Sequence, residues 1–97
     1  MNKNIIEWLQ KWFEAECNGD WEHSFGIKIE TLDNPGWYIT INLEETDFAD
    51  KEINTGLIEK NDSDWYFYKI EKSVFKASGD PTKLEFLLER FKEIIES

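Results

Sequence analysis

Side chains able to do chemistry gather in one stretch of this 97-residue chain. Gly19-Asp20-Trp21-Glu22-His23-Ser24-Phe25-Gly26 holds two carboxylates and the only histidine. Asp20, Glu22 and His23 carry donor atoms for a metal. A catalytic zinc, however, takes three protein ligands in set geometry, and no second histidine is present to complete such a set. Glu22 beside His23 has the groups for proton transfer, provided a cleft positions both and matches their pKa values. The competing reading is structural. In it the stretch is a corner between helix and strand, where Trp21 packs and the polar neighbours satisfy backbone groups.

The single cysteine, Cys17, leaves no partner for an internal disulfide and no cysteine cluster for zinc. A reactive thiol needs a helix N-terminus or nearby positive charge. Cys17 instead falls near a predicted helix C-terminus with Glu14, Glu16 and Asp20 around it, which favours the neutral thiol. Thiol chemistry is therefore disfavoured. Glycine-rich phosphate loops and a nucleophile elbow are missing. The sequence thus predicts no catalytic residue, no metal and no cofactor.

The run Trp65-Tyr66-Phe67-Tyr68 has the rings for a stacking platform, but Lys69 is its one adjacent base. Alternation assigns Tyr66 and Tyr68 to a core face. Trp65 and Phe67 fall on the opposite face, where exposed aromatics can anchor a protein partner.

The elements that hold these residues follow from periodicity. Ile5, Leu9, Trp12 and Phe13 recur at helical spacing and predict a helix over 4–17, stopped by Asn18-Gly19. Residues 25–32 and 37–43 alternate around Asp33-Asn34-Pro35-Gly36, which predicts an antiparallel hairpin closed by a type II turn with positive φ at Gly36. Residues 44–51 form an acidic connection. A third strand is expected near 52–60, weakened by Gly56. The fourth covers 65–71 after a turn at 61–64, and a short fifth runs through 74–78. Asp80-Pro81 is expected to open a second helix, with Asp80 as N-cap and Pro81 at the first position; a capping box from Thr82 to Glu85 is the alternative. Leu84, Leu87, Leu88 and Phe91 give that helix its apolar stripe, with Phe86 off it. Short connections make sequential strands neighbours. The expected fold is α+β: a single two-layer domain, helix, antiparallel meander sheet of four to five strands, helix, with both helices on one face.

Composition narrows the function classes. The net charge is −10, which disfavours nucleic acid and anionic membrane surfaces as partners. No apolar run approaches the ~18–20 residues of a membrane span. Met1–Glu16 carries Glu7, Trp8, Trp12 and Glu14 where a secretory leader would be apolar, which predicts a cytoplasmic protein. Residues 14–50 hold ten acids and one base, Lys28, so nearly all the excess charge lies on the first hairpin and its flanks. Such a face serves solubility, or steers a basic partner to a docking surface.

Three stretches carry a family resemblance. They are Ile6-Glu7-Trp8-Leu9-Gln10-Lys11-Trp12; Gly19-Asp20-Trp21-Glu22-His23-Ser24-Phe25-Gly26 on through Asn34-Pro35-Gly36-Trp37; and Asp64-Trp65 with Gly79-Asp80-Pro81 and Leu84. Together they resemble the Immunity protein 53 family of bacterial polymorphic toxin systems. The resemblance spans essentially the whole chain, with Asp80 standing where a second glycine is expected before the proline. It implies one immunity-protein-like domain over 1–97. It also implies a non-enzymatic antitoxin that neutralises a cognate toxin domain by stoichiometric binding. Many such toxins act on nucleic acid and are basic, which suits the acidic segment. Asp20, Glu22, His23, Asp33, Glu44, Glu45 and Asp47 are then the expected contacts, with Trp21 or Trp37 as anchors. The oligomeric state is left open. The alternatives are a small enzyme using Glu22 and His23 in a cleft, and an acidic mimic of nucleic acid that inhibits nucleases.

Overall fold

Asn4 begins the first helix: its side-chain oxygen accepts hydrogen bonds from the backbone N–H groups of Ile6 (2.9 Å) and Glu7 (3.2 Å), two donors that a helix start leaves unpaired. In the computed structural model, which describes residues 4–97, this helix is α1 (Ile5–Glu16). The first three positions of the Met1–Glu16 leader reading, and of the 1–97 domain, lie outside the described residues. A single-turn helix α2 (Trp21–Ser24) follows. Six strands come next: β1 (Ile27–Leu32), β2 (Gly36–Asn42), β3 (Ile53–Asn54), β4 (Ile58–Asn61), β5 (Asp64–Glu71) and β6 (Val74–Gly79). α3 (Leu84–Glu96) closes the chain.

All pairings are antiparallel, in the order β1-β2-β6-β5-β3, with β4 also on β5. The fold is α+β as expected, but the sheet is not a simple meander. β6 returns to lie beside β2, and β3 and β4 go to the far edge. Burial explains this order. β6 contributes buried Phe75, Ala77, Ser78 and Gly79 and takes the centre, whereas Ile58-Glu59-Lys60-Asn61 is exposed throughout and takes an edge. The expected third strand is two short ones, because Gly56 adopts φ +68° between them. The first turn also differs from expectation. Gly36 does not adopt positive φ, and the Asn34–Pro35 peptide is cis. What Gly36 supplies is space, since a Cβ there would sit 2.5 Å from the Gly79 carbonyl oxygen.

One sheet face and the helices share a core. Ile39 and Ile41 of β2, Phe75 and Ala77 of β6 and Ile70 of β5 bury with Ile5, Leu9 and Trp12 of α1 and Leu87, Leu88 and Phe91 of α3. Burying each large aliphatic or aromatic side chain fully is worth about 1.5–3 kcal/mol. α3 rests on β6, and α1 lies against α3. Phe91 joins the layers: its ring meets Phe75 at 5.0 Å below and Trp12 at 5.1 Å beside it. The expected pair of helices becomes three, since the corner before β1 closes into α2. Among the described residues no helix is long and apolar enough to cross a membrane.

Candidate functional site

The Asp20–His23 corner is tied to itself. The Asn18 side-chain oxygen accepts from the N–H groups of Asp20 and Trp21, each at 2.9 Å. Both carboxylate oxygens of Glu22 reach back to the backbone, accepting from Asn18 N–H (3.0 Å) and Gly19 N–H (2.9 Å). Glu22's own N–H, and those of Asn18 and Gly19, hold its pKa below the usual glutamate value. Its oxygens are committed to the corner. His23 is exposed, and its backbone N–H donates to Asp20 O at 3.1 Å. A groove of about 370 Å³ begins at Ser24, Phe25 and Gly26, continues along Lys28 and Thr40, and has neither Glu22 nor His23 in its walls. Among the described residues no three His, Cys, Asp or Glu side chains converge as a metal ligand set.

Trp21 cannot serve as an anchor at the surface of the folded chain. It is 1% exposed, its ring held among Trp12 (5.9 Å), Phe13 (5.8 Å) and Phe25 (6.5 Å). Nothing among the described residues accepts from its buried Nε1. Cys17 donates its thiol to Phe13 O at 3.2 Å. Burial and the charges of Glu22, Glu14 and Glu16 push that thiol's pKa up, so the neutral form is favoured.

The acidic connection after β2 is pinned from beneath and open above. Leu43, fully buried, donates its N–H to Ser73 O (2.7 Å), and the Ser73 hydroxyl donates to Ala49 O (2.7 Å). Thr46 closes the turn by donating to Leu43 O at 2.8 Å. Glu44, Glu45, Asp47 and Asp50 are left facing solvent. α1 brings Glu16 to the same place. Burial, and after it the Asp47 charge, raise the Glu16 pKa, so the two carboxylates lie within electrostatic reach of each other. Glu16 is not among the contacts expected from sequence, although it lies two residues before the Asn18-Gly19 stop inside the acidic segment.

Strand register decides which candidates share a surface. Ile27 pairs with Ile41, and Asn42 N–H donates to Gly26 O at 3.0 Å, so the corner and the acidic loop lie at one end of the sheet. Asp20, Glu22, His23, Glu44, Glu45 and Asp47 therefore come to that end. Leu32 pairs with Gly36 at the other, which carries Asp33 away from them. Trp37 belongs to that far half as well: it pairs with Gly79, and its Nε1 donates to Pro81 O at 3.0 Å. One continuous run of acidic sequence is thus two surfaces.

The far end holds a polar cluster that sequence reading assigned only to a helix cap. Asp80, fully buried, accepts from Trp65 N–H (2.9 Å), Thr82 N–H (2.8 Å) and Thr82 Oγ1 (2.6 Å). Lys83 Nζ bridges Asp80 (2.7 Å) and Asp64 (2.8 Å). Burial opposes the charge on Asp80, but the Lys83 ammonium and the other donors outweigh it and hold the carboxyl far below its usual range. The helix accordingly starts later than expected, at Leu84 with Lys83 before it, and Asp80 closes the connecting turn. A Cβ on Gly79 would lie 2.7 Å from Lys83 Cβ. Asp64-Trp65 and Gly79-Asp80-Pro81, distant in sequence, thus form one structural clamp.

On the sheet face away from the helices, cross-strand partners place Lys28, Thr40, Lys76 and Lys69 in one row and Glu30, Tyr38, Ser78 and Phe67 in the next. Trp65 and Phe67 are half-buried there. Glu71 contacts Lys69 (3.1 Å) and Lys76 (4.0 Å), relieving two like charges set directly opposite each other.

Comparison with curated proteins and with solved structures finds no match. Residues 6–96 match the family described as Immunity protein 53, and the chain belongs to that family.

Proposed function

We propose that this chain neutralises a cognate bacterial polymorphic toxin in the cytoplasm by direct stoichiometric binding, without turnover or cofactor, through the acidic end of its sheet. Family membership is the observation that carries the reading. The choice of surface is supported by the exposure of Glu44, Glu45 and Asp47 on one loop, where the Asp47 charge also repels that of Glu16. A basic toxin surface relieves that repulsion on docking, and the net charge of −10 speeds encounter. Asp20 and His23 extend the contact along the corner, with Glu22 holding the corner's shape. Asp33 and Trp37, at the opposite end, lie outside this contact, and Trp21 supports it from the core.

The test is co-expression of the toxin domain encoded beside this gene, with and without this chain. Growth arrest only in its absence supports the proposal, and arrest in both refutes it. With purified proteins, a one-to-one complex whose association slows as salt is added is expected. A complex insensitive to salt rejects the acidic surface while leaving the antitoxin role standing.

A further inference from the structure

β1 is an edge strand whose own sequence describes what pairs with it. Lys28, Ile29, Glu30 and Thr31 are exposed, and β2 covers only one side of the strand. The bond from Asn42 N–H to Gly26 O sets the alternation. Residues 26, 28, 30 and 32 direct their backbone groups toward β2, and Ile27, Ile29 and Thr31 direct theirs outward. Among the described residues, nothing else bonds to those outward N–H and C=O groups.

The side chains are arranged symmetrically about Ile29, which is 39% exposed. Lys28 precedes it and Glu30 follows, both on the face away from the helices, and neither has an ion-pair partner among the described residues. Lys28 is also the only base between residues 14 and 50. Edges are commonly protected against pairing by proline, a bulge or charges that point inward, and β1 has no proline, no break in its register and its charges on the outer face. This edge carries one charge of each sign at mirrored positions.

We infer that β1 pairs with β1 of a second copy of this chain, antiparallel about a two-fold axis at Ile29. In that register Ile29 faces its own counterpart and exchanges two backbone hydrogen bonds with it, and each Ile27 faces the other copy's Thr31. Lys28 of each chain faces Glu30 of the other at a non-hydrogen-bonded position, where side chains approach most closely. The two six-stranded sheets become one. The contact is isologous and closes on itself, so the assembly stops at two. It leaves the acidic end free, and it stands or falls independently of any toxin.

The experiment is sedimentation equilibrium of the purified chain at ~0.15 M salt, where repulsion between the two acidic bodies is screened beyond about 8 Å. The expected mass at high concentration is twice the 11.6 kDa chain. Lys28→Glu and Glu30→Lys should each weaken the dimer about tenfold, because each sets two like-charged pairs opposite one another. Lys28→Glu/Glu30→Lys should restore it. Both positions are exposed, so unchanged circular dichroism is expected to show intact folds. Ile29→Pro should abolish the dimer while leaving every β1–β2 ladder bond, since the N–H it removes points outward. A wild-type chain that sediments as 11.6 kDa up to millimolar concentration overturns the inference. So does a double variant no tighter than the single ones.

Discussion

Asp80, with none of its surface exposed, accepts a hydrogen bond from the backbone N–H of Trp65 at 2.9 Å. The bond ties the start of β5 to the end of β6, where the chain leaves the sheet for α3. Lys83 completes the tie by contacting Asp80 and Asp64 together. Removing Asp80 leaves the Trp65 and Thr82 N–H groups without their acceptor, at about 1–3 kcal/mol for each buried group so stranded, and takes from Lys83 one of its two carboxylate partners. Asp80→Ala is therefore expected to lose about 3 kcal/mol or more in urea unfolding. Asp80→Ala/Lys83→Met should lose less than the sum of its single variants, because the Asp80–Lys83 contact that each single variant removes is lost only once. Additive losses would show that the two side chains do not act as a pair.

The same cluster sets a pH dependence. Asp80's carboxyl is held below its unfolded value by Lys83 and the other donors. Its contribution is full above the unfolded aspartate pKa and is lost as pH falls below about 4 toward the folded value. Lys83 shifts the opposite way: Asp64 and Asp80 raise its pKa. Its contribution is full below the unfolded lysine pKa and is lost as pH rises beyond about 10. Stability measured by thermal unfolding should change little between pH 6 and 9 from this cluster and fall on the acid side. Asp80→Asn should flatten that acid limb. An unchanged limb would assign it to other carboxylates.

α1, α3 and both strands of the first hairpin are legible because their apolar residues repeat at 3.6 or 2 positions, and burial enforces that repeat. Strand order is not. Nothing local in Val74–Gly79 says that it will lie beside β2 rather than extend a meander; that follows from which strands are apolar enough for the centre. In sequence Gly36 looks like a turn glycine, yet it is needed because Gly79 approaches from a strand 43 residues away. Asp80 looks like a helix cap in sequence because its partner Trp65, and the Asp64 that shares Lys83 with it, are reached only through tertiary packing. The acidic segment was legible as a count, and its division between two ends of the sheet was not, because only the register of β1 against β2 separates Asp33 from Asp47.

Trp21 lies directly under the corner that carries Asp20 and His23, and its variants separate core from contact. Trp21→Ala empties a buried site ringed by aromatics and should cost about 3–5 kcal/mol. Trp21→Phe keeps a ring against Trp12 and Phe13 and deletes an N–H that has no acceptor among the described residues. Relief of that unpaired donor offsets part of the lost packing, so a loss below about 2 kcal/mol is expected. The toxin affinity of the Trp21→Phe variant should match that of the wild type. A tenfold weaker complex with an intact fold would return Trp21 to the interface.

Asp47 and Asp33 carry the same charge within one acidic segment but lie at opposite ends of the sheet, so they should not be equivalent in binding. The Asp47 charge adds to burial in raising the Glu16 pKa, so its neutralisation should lower that pKa part of the way toward the ordinary value, readable by NMR titration. In association with the toxin domain at low salt, Glu44→Gln/Glu45→Gln/Asp47→Asn should slow encounter about tenfold and flatten the salt dependence, as expected where local field guides approach. Asp47→Asn alone should slow it measurably, and Asp33→Asn should leave the rate within about twofold. If Asp33→Asn slowed encounter as much as Asp47→Asn, the steering would come from net charge alone. The acidic end would then lose its claim to the docking surface.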